Sequence, residues 1–316
     1  MARFLIPRTW GGAMGMKTDL GRGLVLKNPV MLASGTAGFG MEFTDFYPLE
    51  KLGALVTKGV SMDPIEGNPT PRIVETSGGM LNSIGLQNPG ARAFVSELLP
   101  QIQQHDIACI VNVFGYSDSG YNKVVEFLEG AEGIDGYEVN ISCPNVKHGG
   151  IQYGTNPKMT GRLVSELRKR TDRHLMVKLS PNVTDISEFA IVCEEAGADS
   201  ISLVNTLVGM AVDIRTRRPK IARVVGGYSG PAIKPVALRM VYQVAKRVSI
   251  PVVGIGGIQS AEDALEFMLV GARAVQVGTA SFYDPGIGGR LADEMARWLN
   301  LNGAGSLNDW IGSLKV

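Results

Sequence analysis

Residues 136–145 read Gly-Tyr-Glu-Val-Asn-Ile-Ser-Cys-Pro-Asn, and the stretch changes character halfway along. Tyr137, Val139 and Ile141 fall on one side of an extended chain, the period-two pattern of a buried β-strand. The end is abruptly polar: Asn140, Ser142, Cys143 and Asn145. Such a strand delivers a thiol and two amides to the edge of a core, which is how a reactive site is mounted on a rigid scaffold.

Comparable apolar runs lie on both sides of this one. Pro29–Ser34, Ala54–Val60 and Ala108–Phe114 precede it, and Leu175–Ser180, Ser200–Thr206, Pro251–Gly257 and Ala274–Ala280 follow. Helical patterns separate them at about 91–104, 118–131, 156–171, 186–196, 235–247 and 260–270. In the second of these, Val124, Val125, Phe127 and Leu128 share a face, and Asp118 or Ser119 offers a cap. Two longer segments, 61–90 and 207–231, are rich in turn residues; connections of that length are functional loops with small strands of their own. Eight strands alternating with helices predict an α/β chain folded as a (β/α)8 TIM barrel, with the extra small strands and long loops at its C-terminal face. A doubly wound sheet gives the same alternation, but the even spacing and the count favour the barrel. Residues 1–15 lack periodicity and read as an N-terminal extension, leaving 16–316 as a single barrel domain.

Composition narrows the function. The chain of 316 residues is 45% hydrophobic and carries 31 Lys and Arg against 30 Asp and Glu. It therefore has no net field to gather nucleic acid or an acidic membrane. Cys109, Cys143 and Cys193 are far apart, without CxxC or Cys/His spacing, which points to reduced thiols, a cytoplasmic setting and no metal site. No apolar run reaches the ~18 residues of a membrane span.

The carboxyl ends of the strands share a property. In order they carry Ser34, Lys58, Asn112, Asn140 with Cys143, Lys178, Asn205 with Thr206, Gly256-Gly257, and Gly278-Thr279. In a barrel these ends converge on the active face. The glycines after the last two strands fit a phosphate cradle, although tight strand-to-helix turns also need glycine. Lys58 and Lys178, near the ends of buried strands, each need an anion or strong acceptor. Lys178 suits the N1 and C2 carbonyl edge of a flavin, a structural ion pair with a core carboxylate, or a Schiff base in an aldolase-type barrel. Asn82, Asn140, Asn145 and Asn205 offer paired donors and acceptors to a flat ring such as a pyrimidine, or serve as turn residues. Cys143 is the candidate acid or base, whereas Cys109 and Cys193 read as inert buried thiols. The basic run Arg215–Arg223 reads as a solvated loop face.

Three motifs carry a family resemblance: Asn-Ile-Ser-Cys-Pro-Asn-Val-Lys at 140–147, Asn-Ser-Ile-Gly-Leu-Gln-Asn-Pro-Gly at 82–90, and Glu-Gly-Asn-Pro-Thr-Pro-Arg at 66–72. Together they resemble dihydroorotate dehydrogenase, over about Asp19 to Pro285. The resemblance implies an FMN barrel that oxidises dihydroorotate to orotate in pyrimidine biosynthesis. Cys143 would be the base at C5 while the C6 hydride passes to flavin N5. Lys58, Asn82, Ser83, Ile84, Gly85, Leu86, Asn140, Asn145, Asn205 and Thr206 would hold the substrate. FMN would be held by Ser34, Lys58, Gly59, Asn112, Asn140, Lys178, Val204, Gly230, Gly256, Gly257, Gly278 and Thr279.

Cys at 143 resembles the class 1 enzymes, and Val146-Lys147-His148-Gly149-Gly150 resembles their type B, which passes electrons to NAD. With neither an iron–sulfur motif nor a second nucleotide-binding domain on this chain, such a route implies a partner. The resemblance supplies one: an iron–sulfur flavoprotein subunit carrying FAD, on a homodimer core within a 2+2 heterotetramer. Direct use of fumarate, as in type A, is the near alternative.

Overall fold

The computed structural model describes residues 15–142 and 153–316. Eight parallel strands close into a barrel in chain order. They are β1 (Val30–Leu32), β2 (Ala54–Val56), β3 (Ala108–Val113), β4 (Gly136–Asn140), β5 (His174–Lys178), β6 (Ser200–Leu203), β7 (Val252–Ile255) and β8 (Ala274–Val277). The predicted (β/α)8 architecture is therefore the one observed. The ladders are shorter than the apolar runs because residues at the ends of several runs leave the register at the mouth. Past β2, the Lys58 amide donates to Gly38 O at 2.8 Å, and past β6 the Asn205 amide donates to Leu179 O at 3.1 Å.

The outer layer comprises α1 (Asp118–Glu129), α2 (Pro157–Arg168), α3 (Ile186–Glu195), α4 (Lys234–Ala245), α5 (Ala261–Leu269) and α6 (Ile287–Leu301). Ser117, one residue before the predicted cap, caps α1 by accepting from Gly120 N. Helix α6 lies outside the predicted helical segments; its Ile287, Leu291, Met295 and Leu299 recur every fourth residue and are all buried. The helix expected at 91–104 is interrupted by a π-turn over Phe94–Leu98. Pro100 follows that turn and has no N–H for the Ser96 carbonyl, so the ladder widens there. Between β1 and β2 the chain makes 3-10 turns at Met41–Phe43 and Leu49–Lys51.

Alternation along the strands divides the barrel into an outer apolar shell and a layered lumen. Tyr137, Val139 and Ile141 face the helices, in one cluster with Leu163 and Val164 of α2. The lower lumen is apolar, built from Met31, Ala54, Val56, Ile110, Met176 and Val253. A hairpin of Thr18–Asp19 and Val25–Leu26 brings Leu20, Leu24 and Leu26 into the same cluster and closes that end. Above it the inward positions turn polar, with Asn112, Glu138, Lys178, Ser202 and Gln276 all buried. No helix among the described residues is long and apolar enough to cross a membrane.

Candidate active site

The two long excursions meet over the mouth of the barrel. Their strands Leu207–Met210, Val225–Ser229, Gly79–Asn82 and Ile73–Thr76 form one antiparallel sheet in that order. This joins Asn82, from one excursion, to Gly227, from the other, in direct register. Gly227 has no alternative there, because a Cβ would run into the Thr206 side chain. The sheet thus fixes Asn82 and Thr206 on one wall, and the Asn82 amide donates to Gly227 O at 3.3 Å.

Beneath this sheet lies a cavity of about 380 Å3, within the size range of small-molecule sites. It is lined by Ser34, Lys58, Gly59, Asn82, Ile84, Gly85, Leu86, Asn140, Lys178, Val204, Asn205, Thr206, Gly230, Gly256, Gly257, Gly278 and Thr279. All of these are among the site residues that the sequence predicts. Ser83 and Asn112 are buried and do not line it. Ser83 turns toward the Asn68 amide, which donates to its hydroxyl at 3.0 Å. Cys143 and Asn145 lie outside the described residues. Ile73, Met80, Ser229, Gln259 and Phe282 also line the cavity. Ser229 had a signal, its place beside Gly230; the apolar members had none.

Ser142 joins the polar end of β4 to that of β6. Its hydroxyl accepts from Asn205 Nδ2 at 2.7 Å and donates to Asn140 Oδ1 at 3.2 Å. Tyr121 of α1 fixes the same strand end by donating to Asn140 O at 2.8 Å. These bonds orient the cavity amides of Asn140 and Asn205 about Ser142, the residue that precedes Cys143 in the chain. On the opposite side of 143–152, Tyr153 is buried and its hydroxyl donates to Asp118, which also pairs with Arg162 at 2.7 Å.

Among the described residues, two cations reach the cavity, Lys58 and Lys178. Burial pushes the Lys58 ammonium below the ordinary lysine range; Glu42 opposes that shift and Arg72 adds to it. Lys178 comes up through the floor, 5% exposed, with its Nζ 3.9 Å from Glu138 Oε2. The core carboxylate entertained for Lys178 is therefore present, and the ammonium still borders the cavity. Cys109 and Cys193 are both buried in the core. Burial first and Asp135 second push the Cys109 thiol up to about 12, and burial alone pushes Cys193 up, so both are inert at neutral pH.

The cavity end beyond β7 and β8 is made of backbone. Gly256 and Gly257 take φ of 132° and 77°, which only glycine adopts readily. A Cβ on Gly257 would stand 2.8 Å from Lys234 Cβ and 3.0 Å from Gly230 O. Thr279 donates to Ser229 Oγ at 2.8 Å, tying this end to the covering sheet. Arg215, Arg217 and Arg218 are exposed, as a solvated loop face requires.

A family model described as dihydroorotate dehydrogenase matches residues 18–299. A relative from Pelobacter propionicus is 55% identical over 293 residues, covering 93% of this chain and 96% of that protein. One from Geobacter sulfurreducens is 56% identical over 294 residues with the same coverage. One from Trichlorobacter lovleyi is 54% identical over 300 residues, 95% of this chain and 98% of the relative. Each is named dihydroorotate dehydrogenase B (NAD(+)), catalytic subunit. A crystal structure of DHODH from Eimeria tenella, in complex with ferulenol, superposes with a TM-score of 0.78 at 21% identity. It covers 95% of this chain and 88% of that one, a likeness of fold. A match along nearly the whole barrel, joined to relatives at more than half identity, makes this chain a member of the dihydroorotate dehydrogenase family.

Proposed function

We propose that this chain is the catalytic subunit of an NAD-linked, FMN-dependent dihydroorotate dehydrogenase. It oxidises (S)-dihydroorotate to orotate in the de novo, cytoplasmic synthesis of UMP. The observation that carries the reading is the shared name of relatives at 54–56% identity that match this chain over 93–95% of its length.

The residues present fit FMN. A flat ring system needs amides and a cation along its polar edge, and Asn140 and Lys178 border the cavity floor. A phosphate needs close backbone approach, which Gly256, Gly257 and Gly278 allow. When bound there, FMN supplies the hydride acceptor. Ser34, Lys58, Gly59, Val204, Gly230 and Thr279 complete its binding set, with Asn112 acting from behind Asn140. For the substrate, Lys58 faces the carboxylate, and Asn82 to Leu86, Asn140, Asn145, Asn205 and Thr206 hold the ring. Cys143 takes the C5 proton as general base. A pyrimidine whose N–H and C=O groups meet amides on several sides is held in one orientation. The lysine-based aldolase reading of Lys178 has no support from this family.

Electrons leave through an iron–sulfur flavoprotein subunit carrying FAD, in a 2+2 assembly, and reach NAD. The test is the acceptor. The purified chain, reduced with dihydroorotate, is expected to reoxidise slowly with fumarate and to reduce NAD only when the co-purified partner is added. Rapid fumarate turnover by the chain alone contradicts the NAD-linked assignment and supports a type A enzyme.

A further inference from the structure

Glu138 lies in the lumen of the barrel with none of its surface exposed, and the function proposed above gives it no task. Four other strands converge on it. Its Oε1 accepts from Ser202 Oγ of β6 and from Gln276 Nε2 of β8, both at 2.8 Å. Its Oε2 accepts from Asn112 Nδ2 of β3 at 2.6 Å and faces Lys178 Nζ of β5 at 3.9 Å. Each of these four contacts turns a donor toward the Glu138 carboxyl oxygens. Gln276 turns its N–H toward this group although its own Oε1 has no hydrogen-bond partner among the described residues. An acceptor left without a partner in a buried layer is costly, so the contact to Glu138 dominates that side chain's orientation.

The network extends to the cavity. Asn112, held by Glu138, accepts from Asn140 Nδ2 at 3.5 Å, and Asn140 and Lys178 both line the cavity. We infer that Glu138 is a positioning residue that holds Lys178 at the cavity floor and offsets its charge, thereby lowering the reduction potential of the flavin bound above. The inference rests on the FMN reading of that cavity. A lone buried ammonium beside the ring strongly favours the electron-rich reduced state, because charges act over longer range in a low-dielectric site. A counter-charge directly beneath weakens that preference. Such weakening suits an enzyme whose electrons must travel onward to NAD, a poor oxidant.

The test is anaerobic potentiometry of the FMN-loaded protein. Glu138→Gln is expected to move the potential positive by about 30 mV or more, a tenfold change in a two-electron equilibrium. Lys178→Met is expected to move it negative. The double variant Lys178→Met/Glu138→Gln, which removes both charges of the pair, should have a potential about 30 mV or more above that of Lys178→Met alone. A wild-type potential in FMN-loaded Glu138→Gln overturns the inference. Should that variant fail to accumulate, a double variant whose potential coincides with that of Lys178→Met overturns it equally. Wild-type protein that neither carries nor takes up FMN would instead remove the cofactor reading on which the inference stands.

Discussion

Replacing Cys143 by Ser is expected to slow flavin reduction by dihydroorotate ~100- to 10,000-fold at neutral pH, the usual contribution of a general base. A free thiol titrates near ~8.5, close enough to neutrality that a modest shift makes it a proton acceptor, whereas a serine hydroxyl stays protonated throughout that range. FMN content and orotate affinity should change little, because the substitution exchanges sulfur for oxygen without altering charge in the protonated form. The variant's rate should also climb with pH over a wider interval than the wild-type rate, since hydroxide becomes the available base. Rapid-mixing absorbance under anaerobic conditions measures this directly; wild-type kinetics in the variant would dismiss Cys143 as the base.

The second large effect is expected at the other end of the cavity. Gly257→Val should yield a folded, colourless protein that does not regain FMN on incubation. At φ 77° a side chain costs ~1–2 kcal/mol, and β-branching increases the strain. The added Cβ would also press on Lys234 Cβ and Gly230 O at 2.8 and 3.0 Å. Lys234 cannot swing aside freely, because Asp263 and Glu266 hold its ammonium at 2.6 and 2.8 Å. Gly230 itself lines the cavity, so movement there distorts the proposed phosphate end. Circular dichroism would confirm folding, and the flavin-to-protein absorbance ratio is the readout. Full FMN occupancy in this variant would show that these glycines serve the turn and not the cofactor.

Much of the barrel is legible in the chain itself. Short apolar runs at regular spacing, each closed by a polar or glycine residue, state both the strand count and the face on which the ends gather. Reading stops where partners on other strands decide the matter. Glu138 is visibly on the opposite side of β4 from Tyr137 and Val139, but nothing local says that Ser202, Gln276, Asn112 and Lys178 converge on it. Ser83 and Asn112 belong to the expected site residues yet face supporting contacts and not the cavity. Local chemistry also misled at 91–104, where the apolar period continues through Pro100 while the missing N–H converts a turn to π. Helix α6 shows a clear period of four in its buried positions but lies beyond the eighth strand, where the strand–helix alternation that defines a barrel is already complete.

In the proposed reaction the cavity brings a flavin and dihydroorotate together. The most direct test is the anaerobic absorbance spectrum of the purified yellow protein before and after one equivalent of dihydroorotate per flavin. The oxidised-flavin bands are expected to bleach and orotate to appear in matching amount. A spectrum that keeps its oxidised bands with excess dihydroorotate would contradict the proposed reaction.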